Sequence, residues 1–283
     1  MFEWRMNNPI AVSLTAGLAG LALWGGAATA PVPSDRPDVE PTLAQQSEEF
    51  RWSGAMQPGT TLEIKGVNGA VEAEGISGGQ AEVVAVKQGK DDDPSEVRIE
   101  VVEHAGGVTI CALHPRKPGK EPYECAPGKN GEIGAEDNDV SVTFTVRVPR
   151  GINLHAQTVN GKIEAMSIDG DVKAQTVNGG VKVSATGAAE GQTVNGSVSV
   201  SMGRAEGPLS FQTVNGSITV ELPGDAAADV RAQTVHGQIN TDFPITVKGR
   251  FGMRNAQGTI GGGGPDLSLQ TVNGSINLKK ASG

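Results

Sequence analysis

The chain has 283 residues, a formal net charge of −9, 40 glycines and only 4% aromatic residues. This composition suits a repetitive β protein and speaks against an α/β enzyme domain. No basic stripe is available to neutralise phosphates, so nucleic acid is not an expected partner.

The N-terminus, MFEWRMNNPIAVSLTAGLAGLALWGGAATA, has Arg5 in a short polar region and an apolar stretch from about Ile10 to Trp24. Ala28-Thr29-Ala30 then forms an A-x-A cleavage site, so residues 1–30 read as a signal peptide. An uncleaved membrane anchor is the competing reading and would be the only membrane contact. No Cys follows the site, which gives no support for a lipoprotein anchor. Residues 31–48 are Pro-rich and acidic and read as a disordered linker.

Strand patterns begin near Phe50. TLEIKGVNGAVEAEG (61–75), AEVVAVKQ, EVRIEVVEH, GVTICAL and DVSVTFTVRVP fall within a β region spanning 49–150. This region is expected to be continuous with the repeats that follow and to cap them. Its two cysteines, Cys111 and Cys125, flank a Pro/Gly/Lys loop in a chain read as exported, and a disulfide is expected. A metal pair with His104 or His114 is the alternative, although Cys-x13-Cys is not zinc spacing.

From 151 to 283 the chain repeats. Gln-Thr-Val-Asn-Gly stands at 157–161, 175–179, 192–196, 212–216 and 270–274, with QTVHG at 233–237. With Gly258 as a degenerate member, the terminal glycines are spaced 18, 17, 20, 21, 21 and 16 residues apart. Two positions after each glycine stands Ile163, Val181, Val198, Ile218, Ile239, Ile260 or Ile276, β-branched without exception. Apolar residues alternate with polar ones upstream, in the opposite phase. Each unit therefore reads as strand, Asn-Gly corner, strand.

Two architectures fit. In a β-solenoid each unit is one coil, and like residues stack about 4.8 Å apart over roughly 30 Å. In a meander each Asn-Gly is a hairpin turn. Identical side chains at one level favour parallel coils, so the expectation is an all-β solenoid. Its last coil would be shielded by the charged LKKASG terminus.

The stretches VTICALHP, DVSVTFTVRVPRGINLHAQTVNGKIEA, the QTVNGS units and LSLQTVNGSINL resemble the bacterial putative-adhesin family of domains of unknown function, over about 60–280. The resemblance implies a right-handed parallel β-helix and an envelope or surface location. It brings no catalytic residues and no cofactor.

The candidate binding face is the outward column Gln157, Gln175, Gln192, Gln212, Gln233 and Gln270, with the neighbouring valines, Val194 and Val214 among them. Such a stripe could dock an envelope polymer or protein, or serve only to stabilise coil stacking. Thr and Asn of the motif are expected to point inward, and His236 to be a tolerated ladder substitution. The carboxylates fall at unrelated levels of the repeat, which argues against an enzyme. DDDP (91–94) and EIGAEDND (132–139) read as solvated acidic loops rather than calcium sites. The function expected is an exported, non-catalytic envelope or cell-surface binding scaffold. A polysaccharide-active β-helix enzyme and a self-associating structural protein are the alternatives.

Overall fold

The structure is a computed structural model and describes residues 46–128, 133–250 and 253–281. The expected signal peptide lies outside the described residues, as does the linker up to residue 45. Residues 46–48, assigned to that linker from composition, belong instead to the first strand. There they pair with Gly89, Gln88 and Lys87 of a neighbouring strand.

The alternating segments fold as 21 strands, with one 3-10 turn at Pro94–Glu96 and no α-helix among the described residues. The first seven are β1 (Gln46–Ala55), β2 (Thr61–Lys65), β3 (Val71–Ile76), β4 (Gln80–Gly89), β5 (Arg98–His104), β6 (Gly107–Leu113) and β7 (Ser141–Pro149). The repeats supply β8 (Asn153–Gln157), β9 (Ile163–Ile168), β10 (Val172–Gln175), β11 (Val181–Ala185), β12 (Ala189–Gln192), β13 (Val198–Met202), β14 (Leu209–Gln212) and β15 (Ile218–Leu222). The chain ends through β16 (Ala228–His236), β17 (Ile239–Thr241), β18 (Thr246–Arg250), β19 (Met253–Ile260), β20 (Asp266–Asn273) and β21 (Ile276–Lys280).

Each QTVNG unit places one strand in each of two sheets. One sheet runs β1-β4-β7-β3-β9-β11-β13-β15-β21-β17. The other runs β18-β19-β16-β20-β14-β12-β10-β8-β2-β6-β5. Pairing between repeats is parallel and in register: Gln157 lies beside Gln175, Gln175 beside Gln192, and Gln212 beside Gln270. Parallel register places identical residues at one level, which a hairpin meander would not do. The repeats therefore form a β-solenoid-like stack. The apolar columns of both sheets, such as Leu154, Phe211 and Leu267 on one and Ile163, Ile218 and Ile276 on the other, are buried in one core.

Order along the stack departs from order along the chain in two places. The early Val-Asn-Gly unit, β2 and β3, is a full level between β6/β7 and β8/β9. The change of architecture therefore does not fall at residue 150. Near the other end the last unit, β20/β21, is inserted between β14/β15 and β16/β17. The charged Lys279 and Lys280 accordingly flank an interior level and do not shield a terminal one. Gly258 is not a repeat origin: it sits on β19, antiparallel to β16 and opposite Val230.

Antiparallel strands finish three of the four sheet ends, and β17, parallel to β21, forms the fourth. β1 and β4 pair antiparallel beyond β7, β5 beyond β6, and β18 and β19 beyond β16. β1 carries Glu48, Glu49 and Arg51, and β5 carries Arg98, Glu100 and Glu103. Charges on edge strands discourage further pairing with another chain.

Candidate functional site

The QTVNG corner is where the chain passes from one sheet to the other. In a pleated strand successive N–H groups point to opposite sides. Here Val177 and Asn178 both donate to the carbonyl of Val159, at 3.2 and 2.7 Å. Val194 and Asn195 converge on Val177 O in the same way, and Val214 and Asn215 on Val194 O. This convergence breaks the alternation, so Val and Asn face outward in succession while Thr alone points in.

The threonines are buried, Thr213 completely. Each donates to the carbonyl of the motif glycine one level back, Thr176 to Gly161, Thr193 to Gly179 and Thr213 to Gly196, at 2.8–2.9 Å. Thr271 reaches Gly216 and Thr234 reaches Gly274. The asparagines, expected to point inward and satisfy backbone groups, are exposed and bond to each other instead. Nδ2 of Asn160, Asn178, Asn195, Asn215 and Asn273 donates at 2.8 Å to the Oδ1 of the preceding rung, beginning at Asn68. His236 holds the Asn position at the last level, in register with Asn273.

The glutamine column is outward and half-buried at every level. Gln157 and Gln175 each donate to the next glutamine, at 3.4 and 3.1 Å, whereas Gln212 and Gln270 bond to Ser210 and Ser268. Val194 and Val214 are half-buried beside it. Val159 departs from the expected outward column: it is buried, at 7% exposure. The structure thus brings the candidate Gln and Val residues together along one edge, level above level.

Sequence reading missed a second constellation, on the outer face of the same sheet at β2, β6 and β8. Glu63 and Lys65 are almost wholly buried there. Lys65 Nζ donates to the carbonyls of Ala126 and Gly128, at 2.5 and 2.7 Å. Glu63 accepts from Thr109 Oγ1 and Gly128 N–H, both at 2.9 Å, and lies 2.9 Å from His155 Nδ1. Burial works against ionisation of Glu63. The bonds from His155 and Gly128 and the charges of His155 and Lys65 outweigh it, and the carboxyl sits below its ordinary pKa. Burial lowers the Lys65 pKa against the pull of Glu63. The Glu-Ile-Lys alternation was visible as strand, but nothing local shows that another segment would cover its polar side.

That segment is tied down by the Cys111–Cys125 disulfide. Leu113 and Tyr123 pack with the bridge, and the Arg116 guanidinium lies 4.3 Å from the Tyr123 ring centre. His114 is also buried and bonds to Asn138. Among the described residues no group of three or more His, Cys, Asp or Glu could hold a metal ion. In the DDDP loop, Asp93 accepts from Ser95 N–H at the start of the 3-10 turn, and Asp92 accepts from Asp139 N–H.

On the outer face of the first sheet, Glu72 and Glu164 are register partners. Both lie against the Lys162 ammonium, at 3.0 and 2.7 Å. The bond from Lys162 holds Glu164 below its ordinary pKa. A glycosidase acid needs the opposite shift.

Stacked parallel levels, an Asn-Thr ladder and a Gln/Val edge define an all-β, solenoid-like repeat domain. The chain belongs to the Toastrack DUF4097 family, whose model matches residues 59–279. No characterised, curated protein is significantly similar to it in sequence. Solved structures similar to the chain include a putative cell adhesion protein from Clostridium sporogenes ATCC 15579, 13% identical, covering 83% of this chain and 100% of that one with a TM-score of 0.41. A putative adhesin from Bacteroides fragilis NCTC 9343 is 12% identical, covering 83% and 97% of the two chains with a TM-score of 0.35.

Proposed function

We propose that the protein is an exported, non-catalytic scaffold of the cell envelope or surface. Its partner, an envelope polymer or protein, docks on the edge formed by Gln157, Gln175, Gln192, Gln212, Gln233 and Gln270 with Val194 and Val214. The observation that carries this reading is the parallel register. It repeats one pair of half-exposed side chains level after level, so a weak contact is multiplied along a line.

Export rests on the charged, apolar and A-x-A segments of residues 1–30. A right-handed winding and a capping role for the strands before residue 150 belong to the same proposal. Strand-to-parallel-strand crossovers are right-handed in nearly all proteins, and stacked repeats need a closed end.

The test is binding of the protein to isolated envelope fractions, with Gln212→Lys/Val214→Asp as the probe variant. The variant should fold as the parent does and lose binding. Unchanged binding would remove this edge from consideration.

A further inference from the structure

Four adjacent levels of the stack share a property that their order in the chain hides. In spatial order they are β12/β13, β14/β15, β20/β21 and β16/β17. The tracts turning the corner at these levels are 191–203, 207–220, 267–278 and 232–241, and none contains Asp, Glu, Lys or Arg. With 19% charged residues in the whole chain, tracts of this combined length would carry about nine charges. The charges at these levels, such as Glu190, Arg204, Glu221 and Arg231, lie beyond the ends of the tracts.

What the corner presents is uniform at three of the levels, and the fourth, β16/β17, differs in carrying an exposed His236 at the Asn position and Gln238 in place of Ser. A typical level offers Gln212, Val214, Asn215, Ser217 and Thr219 outward, half-buried or exposed. The serines also form a ladder, with Ser217 and Ser275 N–H donating to the hydroxyl one level back at 3.2 Å. The patch is thus a lattice of amides and hydroxyls around a half-covered Val column, repeating about every 4.8 Å over four levels.

The lattice selects among partner classes. An anionic polymer needs cations and a cationic one needs anions, and the patch supplies neither. Protein interfaces are anchored by Trp, Tyr, Phe, Met and Arg at their centres. No outward residue of these tracts is of those types. A neutral polymer rich in hydroxyl groups matches both features: the amides and hydroxyls meet its polar groups, and the valines meet its C–H faces.

We infer that the charge-free corner is a docking surface for an uncharged polysaccharide chain lying along the levels. This rests on the reading that the Gln/Val edge binds a partner and names the class of that partner.

The experiment measures retention of the full chain on chitin and cellulose (neutral), polygalacturonate (anionic) and chitosan (cationic). Retention by a neutral matrix that survives high salt is expected, with none on the charged ones. Ser199→Lys, on an exposed position, should weaken it about tenfold or more. Gln192→Glu is nearly isosteric and carries the same test if the lysine variant does not fold. Glu206→Gln, outside the tracts, should change nothing. Retention only on charged matrices, or none on neutral ones, would overturn the inference. If neutral matrices fail while Gln212→Lys/Val214→Asp still loses envelope binding, the edge reading stands and the glycan assignment falls. If that double variant binds envelope normally, the edge reading falls as well.

Discussion

Asn215 and Asn273 are 58 residues apart in the chain, yet Asn273 Nδ2 donates to Asn215 Oδ1 at 2.8 Å. That bond marks the place where the last repeat enters the stack ahead of β16, β17, β18 and β19, the four strands that separate it from β15 in sequence. The ladder is therefore continuous in space and interrupted in the chain, and its integrity depends on β20 and β21 reaching their slot.

Asn215→Asp should destabilise the protein at neutral pH. The carboxylate can accept from Asn273 but cannot donate to Asn195 Oδ1, so two acceptors face each other. An exposed position limits the loss to about 1 kcal/mol. Urea unfolding at neutral and acidic pH checks it: the penalty should shrink as the new carboxyl protonates.

Thr213→Val keeps the shape and removes the donor to Gly196 O inside the core. The expected cost is about 1–2 kcal/mol, because a part-buried carbonyl loses its hydroxyl partner. Gly216→Ala is expected to cost more, about 3 kcal/mol. Its Cβ would overlap the backbone carbonyl of Gly196 on the level below, and two stacked backbones have no flexible side chain with which to yield.

The disulfide closes a short loop, its cysteines being 14 residues apart. Cys111→Ser/Cys125→Ser should lower stability by about 3 kcal/mol. It should also loosen the segment that lies on Glu63 and Lys65, seen as faster hydrogen exchange at Gly128.

Acid should weaken the fold through two groups. Burial lowers the His114 pKa, offset in part by Asn138, so the unfolded chain binds the proton more readily. The stability this contributes is present above about pH 6.5 and is lost as pH falls through the lowered folded-state value. Glu63, held below its ordinary value, contributes stability above the unfolded carboxyl range, lost only at lower pH. His114→Gln should flatten the first part of the decline and leave the second, as read from urea midpoints across the acid range.

Much of the architecture was legible because the repeat writes it down. β-branched residues two positions after each motif glycine became buried strand positions, and identical motifs became rungs. Two features were not legible. The facing of Asn cannot be read from alternation, because two N–H groups converging on one carbonyl reset the phase at the corner. The order of levels cannot be read either, since β16 and β20 carry the same pattern, and the antiparallel β18 and β19 that separate them in sequence stack beyond β16. Glu63 and Lys65 fall in a segment read only as strand, and nothing local to them shows that the disulfide-bound segment lies across their side chains. For the candidate edge, the sequence named the Gln and Val columns, while the charge-free patch required the spatial order of the levels.

The most direct test of the account compares the parent protein and Gln212→Lys/Val214→Asp for binding to isolated envelope fractions, with thermal unfolding measured on both. Saturable binding by the parent, lost in an equally stable variant, is the result predicted. Equal binding by the two proteins would contradict a functional Gln/Val edge and leave that column as part of the stacking alone.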